Sequence, residues 1–270
     1  MFQAIVLGAA QGLTEFVPVS SSAHLVLVPF LLRWPIPSLA FDVAIHLGTL
    51  LALLVYFWAD LVRMAVGGIR SAVGRGDDRD RLQGRLVVML AVGTVPAAAA
   101  GLLLRDVFES LFERPVYTAV NLLVTAVLLV SGEAFYRRRA EERRRAIDEV
   151  GVWDALAMGA LQALALSPGI SRSGATIVGG LFRGLAREAA ARFSFLLAIP
   201  AILAAAIVAV PDVPPGTDWG PTIAATAVAA VTGFVTIALL LRYLRTRTML
   251  PFAAYCVALS VASLTVAGTR

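Results

Sequence analysis

The strongest constraint on how this chain can fold is a succession of apolar runs, each close to the ~20 residues a helix needs to cross a bilayer. They extend from Leu39 to Ala59, Leu86 to Leu104, Val116 to Tyr136, Phe193 to Val210, Thr222 to Leu241 and Leu250 to Ala267. Composition agrees. Of 270 residues, 59% are hydrophobic and only 15% are charged, with a mean hydropathy of +0.82, well outside the range of soluble domains. The expected fold class is all-α, a polytopic membrane protein with six full spans.

Charge orders these spans. All 23 basic residues are arginines, and they cluster between apolar runs, as cytoplasmic loops facing anionic lipid do. The pI near 10.1 therefore implies membrane lipids as partners and no nucleic acid. Arg63 to Arg81 form one such loop, Arg137 to Arg145 a second, and Arg242, Arg245 and Arg247 a third. Asp106, Glu109 and Glu113, and later Asp212 and Asp218, mark loops expected outside. The single cysteine, Cys256, excludes an internal disulfide or a thiolate metal cluster. Met1-Phe2-Gln3-Ala4 lacks the positive region of a cleavable leader, so this segment is expected to be retained.

Two shorter apolar pairs lie outside the six spans. Residues 1 to 18 and 22 to 32 flank Pro18-Val19-Ser20-Ser21-Ser22, and Val152 to Leu166 and Gly174 to Phe182 flank Ser167-Pro168-Gly169-Ile170-Ser171-Arg172-Ser173. Proline denies a helix its donor and serines favour caps, so each pair reads as a re-entrant hairpin, a form of four half-helices in all. The tips repeat each other: Gln11, Ser20, Ser22 and Ala23 fall opposite Gln162, Ser171, Ser173 and Gly174, and Phe41 falls opposite Phe193. The chain thus divides into a first repeat, residues 1–150, and a second, residues 151–270, of one membrane domain. Three spans per repeat is an odd number, so the second repeat is inverted, and the two tips can meet as inverted-repeat proteins make them meet.

The tips carry the chemistry. Gln11 and Glu15 share one helix face, where a carboxylate can hold a divalent cation or act as a general base. Ser20, Ser21 and Ser22 stand at the start of a returning half-helix, whose free amides form an anion site in outline. His24, one turn on, is placed to exchange a proton with a bound oxyanion or a serine hydroxyl. Arg172, beside Gly169, Ser171, Ser173 and Thr176, offers a fork of donors to phosphate oxygens, or a salt bridge to Glu15 across the repeat when the site is empty. Asp42 with His46, and Glu133, read as solvated polar residues at the membrane border.

The stretches Gln-Gly-Leu-Thr-Glu-Phe-Val-Pro-Val-Ser-Ser-Ser-Ala-His-Leu (11–25) and Pro-Gly-Ile-Ser-Arg-Ser-Gly-Ala-Thr (168–176) resemble the two signature motifs of the bacterial undecaprenyl-pyrophosphate phosphatase, or bacitracin-resistance, family. The likeness extends to Phe41-Asp42-Val43 and Phe193-Ser194-Phe195-Leu196-Leu197. It implies a phosphatase of the bacterial inner (cytoplasmic) membrane that cuts undecaprenyl diphosphate to undecaprenyl phosphate and inorganic phosphate. It also implies an active site opening to the periplasmic side and a divalent cation, Mg or Ca. On this reading bacitracin competes only by binding the substrate. The family's essential residues fall on Glu15, Ser21, His24 and Arg172, with Glu15 and Gln11 toward the metal. Gln11 stands where many members carry a second Glu, which removes one anionic ligand, and Ala23 replaces a usual Gly, so positive φ is not expected there.

Two nucleophiles remain open: Ser21 with His24 taking its proton, or a water oriented by Glu15 and His24. A transporter or flippase for an anionic lipid or other anion is the alternative class, because inverted repeats with paired hairpins also build carriers.

Overall fold

The structure is a computed structural model that describes residues 1–111, 114–209 and 218–270; Glu113 and Asp212 lie outside them. The described residues are helical throughout apart from turns, two 3₁₀ turns and one isolated bridge between Arg145 and Leu185. Among the described residues, six helices are long and apolar enough to cross a membrane: α3 (Leu39–Tyr56), α5 (Asp78–Leu103), α7 (Pro115–Arg138), α10 (Arg187–Ala209), α11 (Trp219–Leu244) and α12 (Leu250–Gly268). The chain is a multi-pass membrane protein.

The two short pairs form as separate helices: α1 (Phe2–Thr14) with α2 (Ser21–Leu32), and α8 (Val152–Leu164) with α9 (Arg172–Phe182). At 1.5 Å per residue, even the 13-residue α1 is only about 20 Å long, against a hydrocarbon core of about 30 Å. Each pair is nevertheless set into the bundle, α9 almost wholly buried and α1 and α8 buried on one face. α1 lies along α11, and α8 lies along α5, so each half lends a long helix to the short pair of the other. Close approach is written into equivalent glycines. A methyl group on Gly8 would sit 2.4 Å from the carbonyl oxygen of Ala225, and one on Gly159 would sit 2.1 Å from that of Gly93. α7 and α12 pack together beside both tips, and α3 and α10 complete the bundle.

Three expectations change. Arg63 to Arg81 is mostly not a loop: α4 (Trp58–Ala72) occupies it, and α5 starts at Asp78, capped by Asp77, whose side chain accepts the Asp80 N–H at 2.8 Å. The arginines hid an amphipathic pattern, since Trp58, Val62, Val66 and Ile69 recur on one exposed face of α4. Residues 105–111 likewise form a short helix, α6 (Arg105–Leu111).

Glu133 is the third. It is 1% exposed rather than solvated, because cations from two helices converge on it. Arg187 donates from α10, Arg137 donates through Nε at 3.1 Å, and the Met249 amide at the start of α12 donates at 3.4 Å. The Arg187 guanidinium also lies 3.8 Å over the ring of Tyr136.

A second buried carboxylate ties the linker between the halves to α8 and α9, outside the six long spans. Asp154 takes a two-pronged contact from Arg145 at 2.9 and 2.8 Å, a third from Arg183 Nε at 2.8 Å and a fourth from the Gly151 amide at 2.9 Å. Burial pushes its pKa up, but the hydrogen bonds and the charge of Arg145 outweigh that and hold it at about 2, down from an ordinary 3.8. A depressed carboxylate stabilises the fold above its unfolded pKa, so this contribution, about 2 kcal/mol, is present above pH 4 and lost as pH falls through 2. Asp154→Asn should therefore lower the detergent-solubilised protein's unfolding temperature by several degrees at pH 7, and by much less at pH 2. An equal shift at both pH values would show that the charge is not what stabilises.

Candidate active site

The short helices α2 and α9 begin in the same way. Ser20 caps α2 by accepting the Ala23 N–H at 3.2 Å, and Ser171 caps α9 by accepting the Gly174 N–H at 3.1 Å. Each capping hydroxyl also meets the serine two residues on, Ser20 with Ser22 at 3.1 Å and Ser171 with Ser173 at 3.2 Å. Ala23 sits inside α2, as the replacement of glycine implies; the positive φ of this turn falls on Ser20 instead.

The tips interlock. Arg172, first residue of α9, bonds directly to Glu15 Oε1 at the end of α1. Ser22 Oγ accepts the Gly169 amide at 3.3 Å, and Ser173 Oγ donates to the Val17 carbonyl at 3.4 Å. Glu15, 6% exposed, is the centre of this contact. Its other oxygen, Oε2, accepts Gln11 Nε2 at 3.0 Å and the Ser21 hydroxyl at 2.6 Å, and His46 Nε2 stands 3.8 Å away. A buried carboxylate is tolerable only with this much satisfaction.

α7 holds the second tip. Thr125 Oγ1 donates to the Gly169 carbonyl at 2.9 Å and accepts the Ser171 amide at 2.9 Å. Asn121 Nδ2 donates to Ser167 Oγ and to the Pro168 carbonyl, both at 2.9 Å, and Tyr117 OH meets Ser167 Oγ at 2.8 Å. Thr176 bonds to Ser194 and, at 2.8 Å, to the Arg172 carbonyl. It is fully buried and supports the tip rather than facing a ligand.

A cavity of about 250 Å³ opens beside the Glu15 cluster. Ser20, Ser21, Ser22, Asp42, His46 and Arg172 line one part of it, and Leu25, Val43, Leu166, Ile202 and Ala206 are among the apolar residues lining the rest. It joins hydroxyls, a guanidinium and the N-termini of α2 and α9 to an apolar wall, a lining suited to an amphiphile with an anionic head.

Two sequence readings change here. His24 does not hydrogen-bond Ser21: Nδ1 meets the Ser20 carbonyl at 2.8 Å and Nε2 meets Tyr255 OH at 2.7 Å. The carboxylate beside Ser21 is Glu15, whose Oε2 accepts the Ser21 hydroxyl. Asp42 and His46 are not simply solvated, because the N-terminal turns of α3 face the cavity and His46 Nδ1 is fixed on the Asp42 carbonyl at 2.8 Å. Tyr255, Asn121 and Thr125 were missed altogether. Asn121 and Thr125, four apart within a span, carried a usable signal, since polar groups at membrane depth face protein or a wet cavity.

As for a metal, no three His, Cys, Asp or Glu side chains cluster around a common point among the described residues. Gln11 Oε1 is nevertheless buried with no hydrogen-bond partner.

A family model described as Bacitracin resistance protein BacA matches residues 4–262. The chain belongs to the BacA family. Similar family members include a protein named Undecaprenyl-diphosphatase from Alcanivorax borkumensis, 45% identical over 266 residues, 97% of each chain. A protein of the same name from Moorella thermoacetica is 42% identical over 96% of this chain and 95% of its own. Undecaprenyl-diphosphatase 2 of Streptomyces coelicolor is 42% identical over 96% of this chain and 92% of its own. The family match takes in both tips, the cavity lining and five of the long helices whole, and α12 as far as residue 262.

Gly169 tests the geometry of the second tip. Its φ is +94°, and an added Cβ would lie 2.3 Å from the Thr118 carbonyl oxygen. Gly169→Ala should cost about 1–3 kcal/mol in backbone strain alone, before the clash, read as a lower unfolding temperature. Wild-type stability in that variant would mean the tip is not closed against α7 as described.

Proposed function

We propose that the chain is a membrane phosphatase that hydrolyses undecaprenyl diphosphate to undecaprenyl phosphate and inorganic phosphate, recycling the lipid carrier of cell-wall synthesis. The relatives' names support the substrate, and the observation that carries the chemistry is the Ser21 hydroxyl 2.6 Å from a buried carboxylate, at the edge of a cavity lined by Arg172. A carrier needs the half-helix ends and the guanidinium, but has no use for a hydroxyl aligned on a base.

The resting contact between Arg172 and Glu15 is the lock that substrate opens. A terminal phosphate at the tips competes for the guanidinium, which matches its oxygens better than it matches a single carboxylate oxygen. Glu15 Oε1 is then released from the guanidinium, while Oε2 still holds the Ser21 hydroxyl and can take its proton. Ser21 Oγ attacks the terminal phosphorus, its proton passes to Glu15 Oε2, and the bond to the bridging oxygen breaks; the leaving undecaprenyl phosphate takes that proton from Glu15, which regenerates the carboxylate. Water then gives a proton to the carboxylate as its oxygen attacks the phosphoserine, the P–O bond to Ser21 breaks, and the proton returns to Ser21 Oγ, freeing inorganic phosphate. Arg172 and the amides of α2 and α9 stabilise charge on the equatorial oxygens, which is most of what phosphoryl transfer asks of a protein.

Glu15 and the free Gln11 Oε1 would be the protein ligands of a divalent cation, Mg or Ca. Such an ion would neutralise charge on the phosphates. The loop charges and the shortness of the helix pairs support re-entrant hairpins in an inverted repeat of residues 1–150 and 151–270. They also support a site opening to the periplasmic side of the inner membrane. Bacitracin, on this reading, acts on the substrate rather than the protein.

Phosphate release from a long-chain polyprenyl diphosphate by the purified protein, with and without chelator, tests the reading. Glu15→Gln and Ser21→Ala should each lower turnover by roughly a hundredfold or more, and the double variant should be little worse than either alone, because the two act as a unit. Near-normal turnover in Ser21→Ala would leave water as the nucleophile.

A further inference from the structure

His24 belongs to the first motif, yet it touches no reacting group. It is 5% exposed, and both ring nitrogens are engaged. The Ser20 carbonyl oxygen can only accept, so Nδ1 carries a proton. Nε2 lies 2.7 Å from Tyr255 OH, and the two rings stack with centroids 5.6 Å apart and planes within 2°. With the tyrosine donating, one neutral tautomer satisfies both contacts, which suits a ring with so little access to water.

What His24 grips is unusual. Ser20 is at φ 68°, ψ 100°, one of two non-glycine residues with positive φ among the described residues. An L-residue stays there only when its surroundings hold it. Ser20 immediately precedes Ser21, so the setting of its carbonyl decides where the Ser21 hydroxyl points relative to Glu15. Tyr255 is on α12, 231 residues from His24, and is 46% exposed. At so exposed a site on an apolar span, packing alone gives no reason for a hydroxyl.

We infer that Tyr255 is a positioning residue for the Ser21 hydroxyl. Its O–H holds His24 in the tautomer whose Nδ1–H pins the Ser20 carbonyl, and with it the strained turn that carries Ser21. The kinetic part of the test rests on the phosphatase reading; the spectroscopic part does not.

The chain has only two histidines, so ring-¹⁵N histidine labelling of the full-length protein in detergent gives two sets of signals, assigned with His24→Asn. The expected spectrum shows His24 neutral and protonated at Nδ1, with Nε2 shifted by an accepted hydrogen bond. In Tyr255→Phe, which keeps the ring and removes only the hydroxyl, the Nε2 signal should move to the position of an unbonded nitrogen. A proton on Nε2 in the unsubstituted chain, or an unchanged His24 spectrum in Tyr255→Phe, overturns the tether. In phosphate release from polyprenyl diphosphate, Tyr255→Phe should lower kcat about tenfold, the scale of one lost hydrogen bond, with KM within about twofold. Tyr255→Phe combined with His24→Asn should be no slower than His24→Asn alone. Effects that multiply would mean Tyr255 acts by packing α12, and unchanged kcat would remove it from the reaction. If the unsubstituted protein releases no phosphate, the phosphatase reading fails while the spectra still decide the tether.

Discussion

Everything at the centre of this protein depends on satisfying one carboxylate where there is little water. Glu15 is buried at the end of a helix too short to cross a bilayer, and an isolated charge there would be prohibitive. Its solution is to borrow partners from the whole molecule: Gln11 from its own helix, Ser21 from the other side of its turn, His46 from α3 and Arg172 from the second half of the chain. Removing a partner from such a pair typically costs about 3–5 kcal/mol. The two tips are thereby committed to each other before any substrate arrives. Stability and chemistry draw on the same contact, since the guanidinium that neutralises Glu15 at rest is the group a phosphate would claim.

The surrounding architecture serves to bring those tips together and hold their irregular backbone. Each short pair lies against a long helix of the opposite half, through glycines that allow near-contact of backbones. The backbone groups a broken helix leaves free are met by Asn121 and Thr125 on α7 for the second tip, and by His24 and the serines for the first. Away from the tips, Asp154 and Glu133 fasten the arginine-rich ends of the helices with converging guanidinium groups.

Much of this was legible in the sequence. The six spans follow from the length of apolar runs, and both serine caps follow from a repeat in which Gln11, Ser20 and Ser22 answer to Gln162, Ser171 and Ser173. The pairing of Arg172 with Glu15 followed from the expense of either charge alone. What escaped was decided by tertiary contact. His24 was assigned to Ser21 because it is near in sequence, whereas its partner Tyr255 lies on the last helix and leaves no local pattern. Glu133 was read as solvated because arginines follow it, but those arginines fold back over it. The arginines of α4 suggested a loop and masked a helix whose apolar stripe recurs every three to four residues. Ser21 and Glu15, six apart across a proline-containing turn, match no helical or strand spacing, so their contact could not be read from periodicity.

The central claim, that two tips distant in sequence close on one another to make a single site, can be measured without any substrate. An added Cβ on Gly174 would lie 3.3 Å from Pro18 Cβ, close to the separation a disulfide needs. In a chain whose only native cysteine, Cys256, is replaced by serine, Pro18→Cys with Gly174→Cys should oxidise readily to a disulfide within one chain, seen as a faster-migrating monomer on non-reducing gels and slowed by reductant. Two free thiols that persist under oxidant in the folded protein, or cross-links only between chains, would contradict it.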